Sequence, residues 1–142
     1  FYDDRFDIDF PKKGYLFFSG GAGLSSTVKD YSKFLEIFIN EGETYNGVRL
    51  IGKKTCETLF ENQLEGIENF EIGLAFGLAS EEDYSKGGHG SVGTLSWGGY
   101  FNTSYFADPK ENIIGIIYKQ TQYIEDPTSK AFRELVFQSI ID

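Results

Sequence analysis

From Tyr31 onward, apolar side chains recur at Tyr31, Phe34, Leu35, Phe38 and Ile39, the i, i+3, i+4, i+7, i+8 spacing that lines one side of an α-helix. The pattern predicts a helix over roughly residues 27–41. Ser26 or Thr27 can accept a hydrogen bond from an unpaired first-turn N–H, Asp30 complements the positive helix end, and Gly42 suits a left-handed stop. Asn46-Gly47, within Tyr45 to Val48, tolerates positive φ and predicts a turn or short hairpin before a second helix at about 53–62. Ile72 to Ala79 then alternates large and small residues with the period of two expected of a strand.

After a glycine-rich stretch, Lys86 to Gly93, come two β-rich runs, Thr94 to Asp108 and Asn112 to Thr121. They are joined by Asp108-Pro109-Lys110-Glu111, whose Asp and Pro favour a tight turn, so the runs should pair as antiparallel neighbours. Asp126-Pro127 supplies a cap and a first-turn proline for a closing helix with Phe132, Leu135, Val136 and Ile140 on its apolar face. The predicted order is helix, helix, three strands, helix: an α/β chain of the α+β kind, with an antiparallel sheet flanked by helices, in a single unit spanning residues 1–142.

Composition narrows the function. The 142 residues are enough to enclose one core, and 14 Phe and 9 Tyr supply large buried area per residue. The net charge of −9 disfavours nucleic acid and anionic membrane surfaces, because no basic patch offsets it. No apolar run is long enough for a membrane span. Phe1 to Asp7 alternates aromatics with charges and reads as a solvated segment. Cys56 is the one cysteine, and with Leu59 and Phe60 it reads as a small core residue. The chain contains no Met and begins at Phe1, which suggests a piece of a longer product.

Two segments carry the chemistry. The first is Gly20-Gly21-Ala22-Gly23-Leu24-Ser25-Ser26-Thr27, followed by Asp30-Tyr31 and Phe34-Leu35. The second runs from Trp97-Gly98-Gly99-Tyr100-Phe101-Asn102-Thr103 through Ser104-Tyr105-Phe106-Ala107-Asp108-Pro109 to Asn112-Ile113-Ile114-Gly115. Together they resemble the serine hydrolases of the β-lactamase and penicillin-binding-protein superfamily, closest in pattern to class C β-lactamase-like proteins and family VIII carboxylesterases. The resemblance covers about residues 15–142. It implies the C-terminal portion of the β-lactamase/transpeptidase-like fold.

Such enzymes use a Ser-x-x-Lys nucleophile and base, a Tyr- or Ser-containing loop, and a Lys-Thr-Gly strand or a variant of it. Only the third is matched here. The resemblance puts Trp97, Gly98 and Gly99 on the substrate-binding strand and makes the Tyr100 N–H one of two oxyanion donors, the other being the N–H of a nucleophilic serine absent from the chain. Trp97 stands where β-lactamases and transpeptidases carry a cation for a substrate carboxylate, which points toward esters.

Each of these residues also has a plainer reading. Trp97-Gly98-Gly99 could be a buried indole followed by a β-bulge. Ser26-Thr27-Val28-Lys29 spells Ser-x-x-Lys, but it lies in the segment whose serines and threonine cap a helix, with Lys29 facing solvent. Tyr100 and Asn102 mimic a Tyr-x-Asn motif but fall inside a predicted strand, on one face. His89 has no acid or serine partner at a diagnostic spacing and reads as a loop-tip residue. Neither a metal cluster nor a dinucleotide fingerprint is present, so no cofactor is implied.

The resemblance implies a parent protein that transfers acyl groups from a small ester, amide or lactam, with this chain inactive by itself. It also implies two N-terminal strands beside Asn112 to Thr121; without them that strand has an open edge through which the chain could pair into a homo-oligomer. The family is often extracytoplasmic. A non-catalytic ligand-binding module and a purely structural domain of the same fold are the alternatives.

Overall fold

The computed structural model describes residues 20–21, 23–64, 66–67, 71–87, 90–122 and 125–141. Helix α1 spans Val28–Ile39, as the stripe predicts. Thr27 caps it, its hydroxyl accepting the Asp30 N–H at 3.1 Å, and Leu35 and Phe38 are its buried residues. At the exit Gly42 takes positive φ, 95°, as expected, and Glu41 before it is left-handed too, at φ 53°; the Glu41 N–H donates to the Phe38 carbonyl and the Gly42 N–H to that of Ile37 at 2.7 Å. Gly42 is needed for a second reason: a Cβ there would lie 2.2 Å from the Ile51 carbonyl oxygen. The turn at Asn46-Gly47 closes as expected, with Glu43 bridged to Arg49. It leads to α2, Lys53–Leu59, shorter than the predicted second helix.

Ile72 to Ala79 is not one strand. Ile72 bridges back to Gly77, Gly73 donates to the Phe76 carbonyl at 2.9 Å, and only Gly77–Leu78 pairs onward as β1. The small residues serve a close pass instead of a pleat: a Cβ on Gly73 would sit 2.0 Å from the Leu59 carbonyl oxygen. A helix that periodicity does not announce, α3 at Glu81–Ser85, follows. Ser80 and Asp83 close a capping box at its start.

The run from Thr94 to Asp108 also divides. It forms β2, Leu95–Gly98, and β3, Ser104–Asp108, which lie antiparallel around a turn at residues 99–103. β4, Ile113–Ile117, pairs with β3 as expected, giving a four-stranded antiparallel sheet in the order β1-β2-β3-β4. The class is therefore α+β, an antiparallel sheet with helices against it.

Alternation sorts the sheet into two faces. Leu78, Leu95, Tyr105, Ala107, Ile114 and Ile116 join Leu35 and Phe38 of α1 and Cys56 of α2 in the core. On the opposite face Phe106 packs on Phe132 and Phe137 of α4, Thr128–Gln138, with ring centroids 6.1 and 5.2 Å apart. The far end of the Phe106 ring occupies the space over Gly115, where a Cβ would come within 2.3 Å of it. Leu135, expected on the apolar side of α4, is 65% exposed, and Arg133 takes a place on the inner side instead. Asp126 caps the first turn by accepting the Thr128 N–H at 2.9 Å. The Lys119 ammonium ties it to the end of β4, bonding Asp126 at 2.9 Å and the Ser129 hydroxyl at 2.8 Å.

Asp108, fully buried, holds the β3–β4 turn to the loop before β2. One carboxylate oxygen accepts the N–H groups of Lys110 and Glu111, and the other accepts the Ser91 N–H at 2.7 Å and the Thr94 hydroxyl at 2.8 Å. Burial pushes its pKa up, but the N–H groups of Ser91 and Glu111, the Thr94 hydroxyl and the Lys110 N–H more than offset this and hold it below the ordinary carboxyl value. Asp108→Ala strands these donors and should cost about 3 kcal/mol in urea unfolding. Because the folded pKa is depressed, that contribution is complete above the unfolded value of about 3.9 and is lost as pH falls through the folded one. The gap between wild type and variant should therefore close in acid.

Candidate functional site at the open edge of the sheet

Trp97 and Gly98 end β2, and Gly99 begins the turn that returns to β3. The Gly99 N–H donates to the Thr103 carbonyl at 2.9 Å, and the Asn102 N–H donates to the Gly99 carbonyl at 3.0 Å. On the other side of β2, the Ala79 N–H donates to the Thr94 carbonyl at 3.0 Å. Antiparallel main-chain groups alternate in direction, so Leu95, Trp97 and Gly99 face β3 while Ser96 and Gly98 face the β1 side. β1 reaches only Leu95 and Ser96. The main chain of Gly98 therefore lies at an edge that β1 leaves uncovered, and Trp97, Gly98, Gly99 and Tyr100 are all exposed.

The reading of Trp97-Gly98-Gly99 as a buried indole and a bulge does not hold. Register runs without interruption from Leu95↔Ala107 to Gly98↔Ser104, and Trp97 is 50% exposed. Its ring lies beside Gly77, where a Cβ would make ordinary contact at 3.8 Å. Trp97 shares a face with Tyr105, whose hydroxyl is pushed well above the usual phenol pKa by burial and by its bond to Tyr31.

Tyr100 and Asn102 do not share a strand face, because both lie in the turn. Asn102 is left-handed at φ 60°, and its Nδ2 donates to the Thr121 hydroxyl at 2.8 Å. The Thr121 N–H in turn donates to the Phe101 carbonyl at 3.2 Å, tying the turn to the chain beyond β4. Gly99 has a local role that spacing does not disclose: a Cβ there would lie 2.3 Å from the Thr103 hydroxyl oxygen. At Gly98 the nearest atom to such a Cβ is the Thr103 carbonyl oxygen at 3.3 Å.

The other candidates fall away from this edge. Thr27 caps α1, the Ser26 hydroxyl bonds the Thr27 carbonyl at 3.3 Å, and no bond links Ser26 to Lys29 among the described residues. Cys56 is buried, its thiol directed at the Phe38 carbonyl and its pKa raised by burial, which suits packing and not nucleophilic attack. His89 and the segment Phe1 to Asp7 lie outside the described residues. Among the described residues no group of His, Cys, Asp or Glu has the arrangement of a metal site, and no helix is long and apolar enough to cross a membrane.

The profile of the Beta-lactamase family matches residues 2–138. This chain belongs to the Beta-lactamase family. Two curated proteins from strains of Mycobacterium tuberculosis, Uncharacterized protein MT1414 and Protein Rv1367c, are each 30% identical to it over 112 residues. The aligned part is 69% of this chain and 28% of theirs, so the chain spans little more than a quarter of the length of these relatives. Membership accounts for the serine-hydrolase-like fold and the antiparallel sheet with flanking helices.

Gly99→Ala should destabilise this β-lactamase-family chain by about 1–3 kcal/mol, the usual range for overpacking. Thr103→Ala removes the obstructing hydroxyl and should recover most of that loss in the double variant, as read by thermal melts. Strictly additive effects would show that the contact is not the cause.

Proposed function

We propose that this chain forms the substrate-strand wall of a serine hydrolase acting on small esters, amides or lactams, with the nucleophilic serine in a part of the protein outside these residues. The observation that carries the reading is the uncovered, exposed edge at Trp97-Gly98-Gly99 in a chain of the Beta-lactamase family. An extended substrate can align its main-chain-like groups with Gly98, where no side chain intervenes. A base outside these residues takes the serine proton as the serine oxygen attacks the acyl carbonyl, the Tyr100 N–H and the serine N–H stabilise the oxyanion, and its collapse breaks the C–O or C–N bond, the proton passing to the alcohol or amine, which in a lactam stays tethered. Water then hydrolyses the acyl-serine, releasing the acid and restoring the serine. Trp97 offers an aromatic surface and no cation, which favours neutral acyl groups over anionic β-lactams.

Nitrophenyl-ester turnover by the full-length protein tests this. Tyr100 is the second residue of the Gly99–Asn102 turn, a position proline tolerates; against a Tyr100→Ala control, which keeps the N–H but loses the ring packed on Phe101 at 5.4 Å, Tyr100→Pro removes the donor. It should lower kcat by about 100- to 1000-fold. Trp97→Lys should shift preference toward substrates bearing a carboxylate. Full turnover by the 142 residues alone, abolished by Ser26→Ala, would overturn the reading.

On this reading two further strands of the whole protein would lie beside β4, whose outer edge is unpaired among the described residues. The 142 residues alone should associate through that edge, and light scattering that shows a stable monomer at high concentration counts against it. The second reading, a non-catalytic ligand-binding or structural module, is favoured by Gly99, whose packing on Thr103 explains that glycine without any substrate. Labelling of the full-length protein by a serine-reactive fluorophosphonate separates the two.

A further inference from the structure

On the α4 face of the sheet, a cleft of about 480 Å³ opens between α3 and α4. Ser96, Ser104 and Phe106 lie along its floor, with Tyr84 on one side and Lys130 and Arg133 on the other. Arg133 is the unusual group. Its guanidinium carbon stands 5.4 Å from the Phe106 ring centroid and 6.0 Å from that of Phe137, within cation–π range of both rings. Its Nε is buried and has no hydrogen-bond partner. Leaving a buried charged donor unpaired is costly, and native structures rarely do so without a reason.

The nearby acids do not supply the missing acceptor. Asp83 and Asp108 attract Arg133 electrostatically, but the carboxylate of Asp83 accepts the N–H and hydroxyl of Ser80, at 3.0 and 2.9 Å. Asp108 is occupied by Ser91, Thr94, Lys110 and Glu111. Lys130 adds a second cation at the rim, although Glu134 lies 3.8 Å away. Asp83 also lines the cleft, but its carboxylate is engaged by Ser80, so in a chain of net charge −9 the two cations and the floor hydroxyls favour one kind of guest, an anion.

We propose that this cleft binds a small organic carboxylate, its carboxyl group paired with Arg133 and its apolar body against the exposed ring of Tyr84. A planar guanidinium matches a carboxylate through parallel N–H bonds, and the Ser96 and Ser104 hydroxyls can donate to the same oxygens. The cleft touches Trp97 and Gly98, but its cations come from α4, and its occupancy is read by binding and not by turnover.

Sodium benzoate is the probe, titrated into the intact protein and followed by saturation transfer from protein to ligand. A dissociation constant on the order of 1 mM is expected for a ligand of this size. Arg133→Met, which keeps the packing and removes the fork, should weaken binding about tenfold. Ser96→Phe, which fills the floor and leaves the charge, should abolish it; this variant answers the question if Arg133→Met fails to fold. Benzyl alcohol and inorganic phosphate should both displace benzoate poorly. The proposal is overturned by benzoate binding that does not saturate, by equal binding to both variants, or by displacement with phosphate at equal concentration.

Discussion

The arrangement of this chain depends on one buried carboxylate. Asp108 ends β3, and its oxygens gather the turn into β4 on one side and the loop entering β2 on the other. A charge removed from water is tolerated only when its lone pairs are filled, and here backbone N–H groups and a hydroxyl fill them. Because the same side chain restrains both ends of the β2–β3–β4 meander, it fixes where β2 starts. The other end of β2, at Gly98, is set by the turn that begins at Gly99.

The sheet is asymmetric as a result. On one face, aromatic and aliphatic residues of α1 and α2 make a continuous core. Phe38 and Phe76 meet edge to face at 4.9 Å, and Tyr31 and Tyr105 are tilted at 5.0 Å. On the other face, α4 covers Phe106 but buries none of its own residues completely, and a polar cleft remains beside it. The lateral edges differ as well. β1 shields half of β2 and leaves the glycines, while among the described residues no strand pairs with the outer edge of β4.

Much of this was legible in the residues, and the misses have physical causes. The α1 stripe, the Thr27 cap, the Asn46-Gly47 turn and the Asp108-Pro109 turn are local devices, so short-range spacing discloses them. The segment Ile72 to Ala79 misled because close approach to a neighbouring backbone and a pleated strand both call for small residues in alternation; only the position of Leu59 distinguishes them. The break after Gly98 was hidden because β-prone residues continue on both sides of it, and the left-handed Asn102 is a weak signal by itself. Trp97-Gly98-Gly99 stood out through family pattern. The Thr103 hydroxyl over Gly99 and the unpaired Nε of Arg133 are tertiary facts with no period to betray them.

The clasp between Asn102, Phe101 and Thr121 makes the turn at the end of β2 part of a mechanical unit with the chain leaving β4. Neither end of that unit can drift in length independently. A residue inserted between Gly99 and Thr103 would release the side-chain bond to Thr121 as well as the main-chain pair that closes the hairpin. Variation at this rim is therefore channelled into the exposed side chains of Trp97 and Tyr100, leaving the backbone path that carries them unchanged.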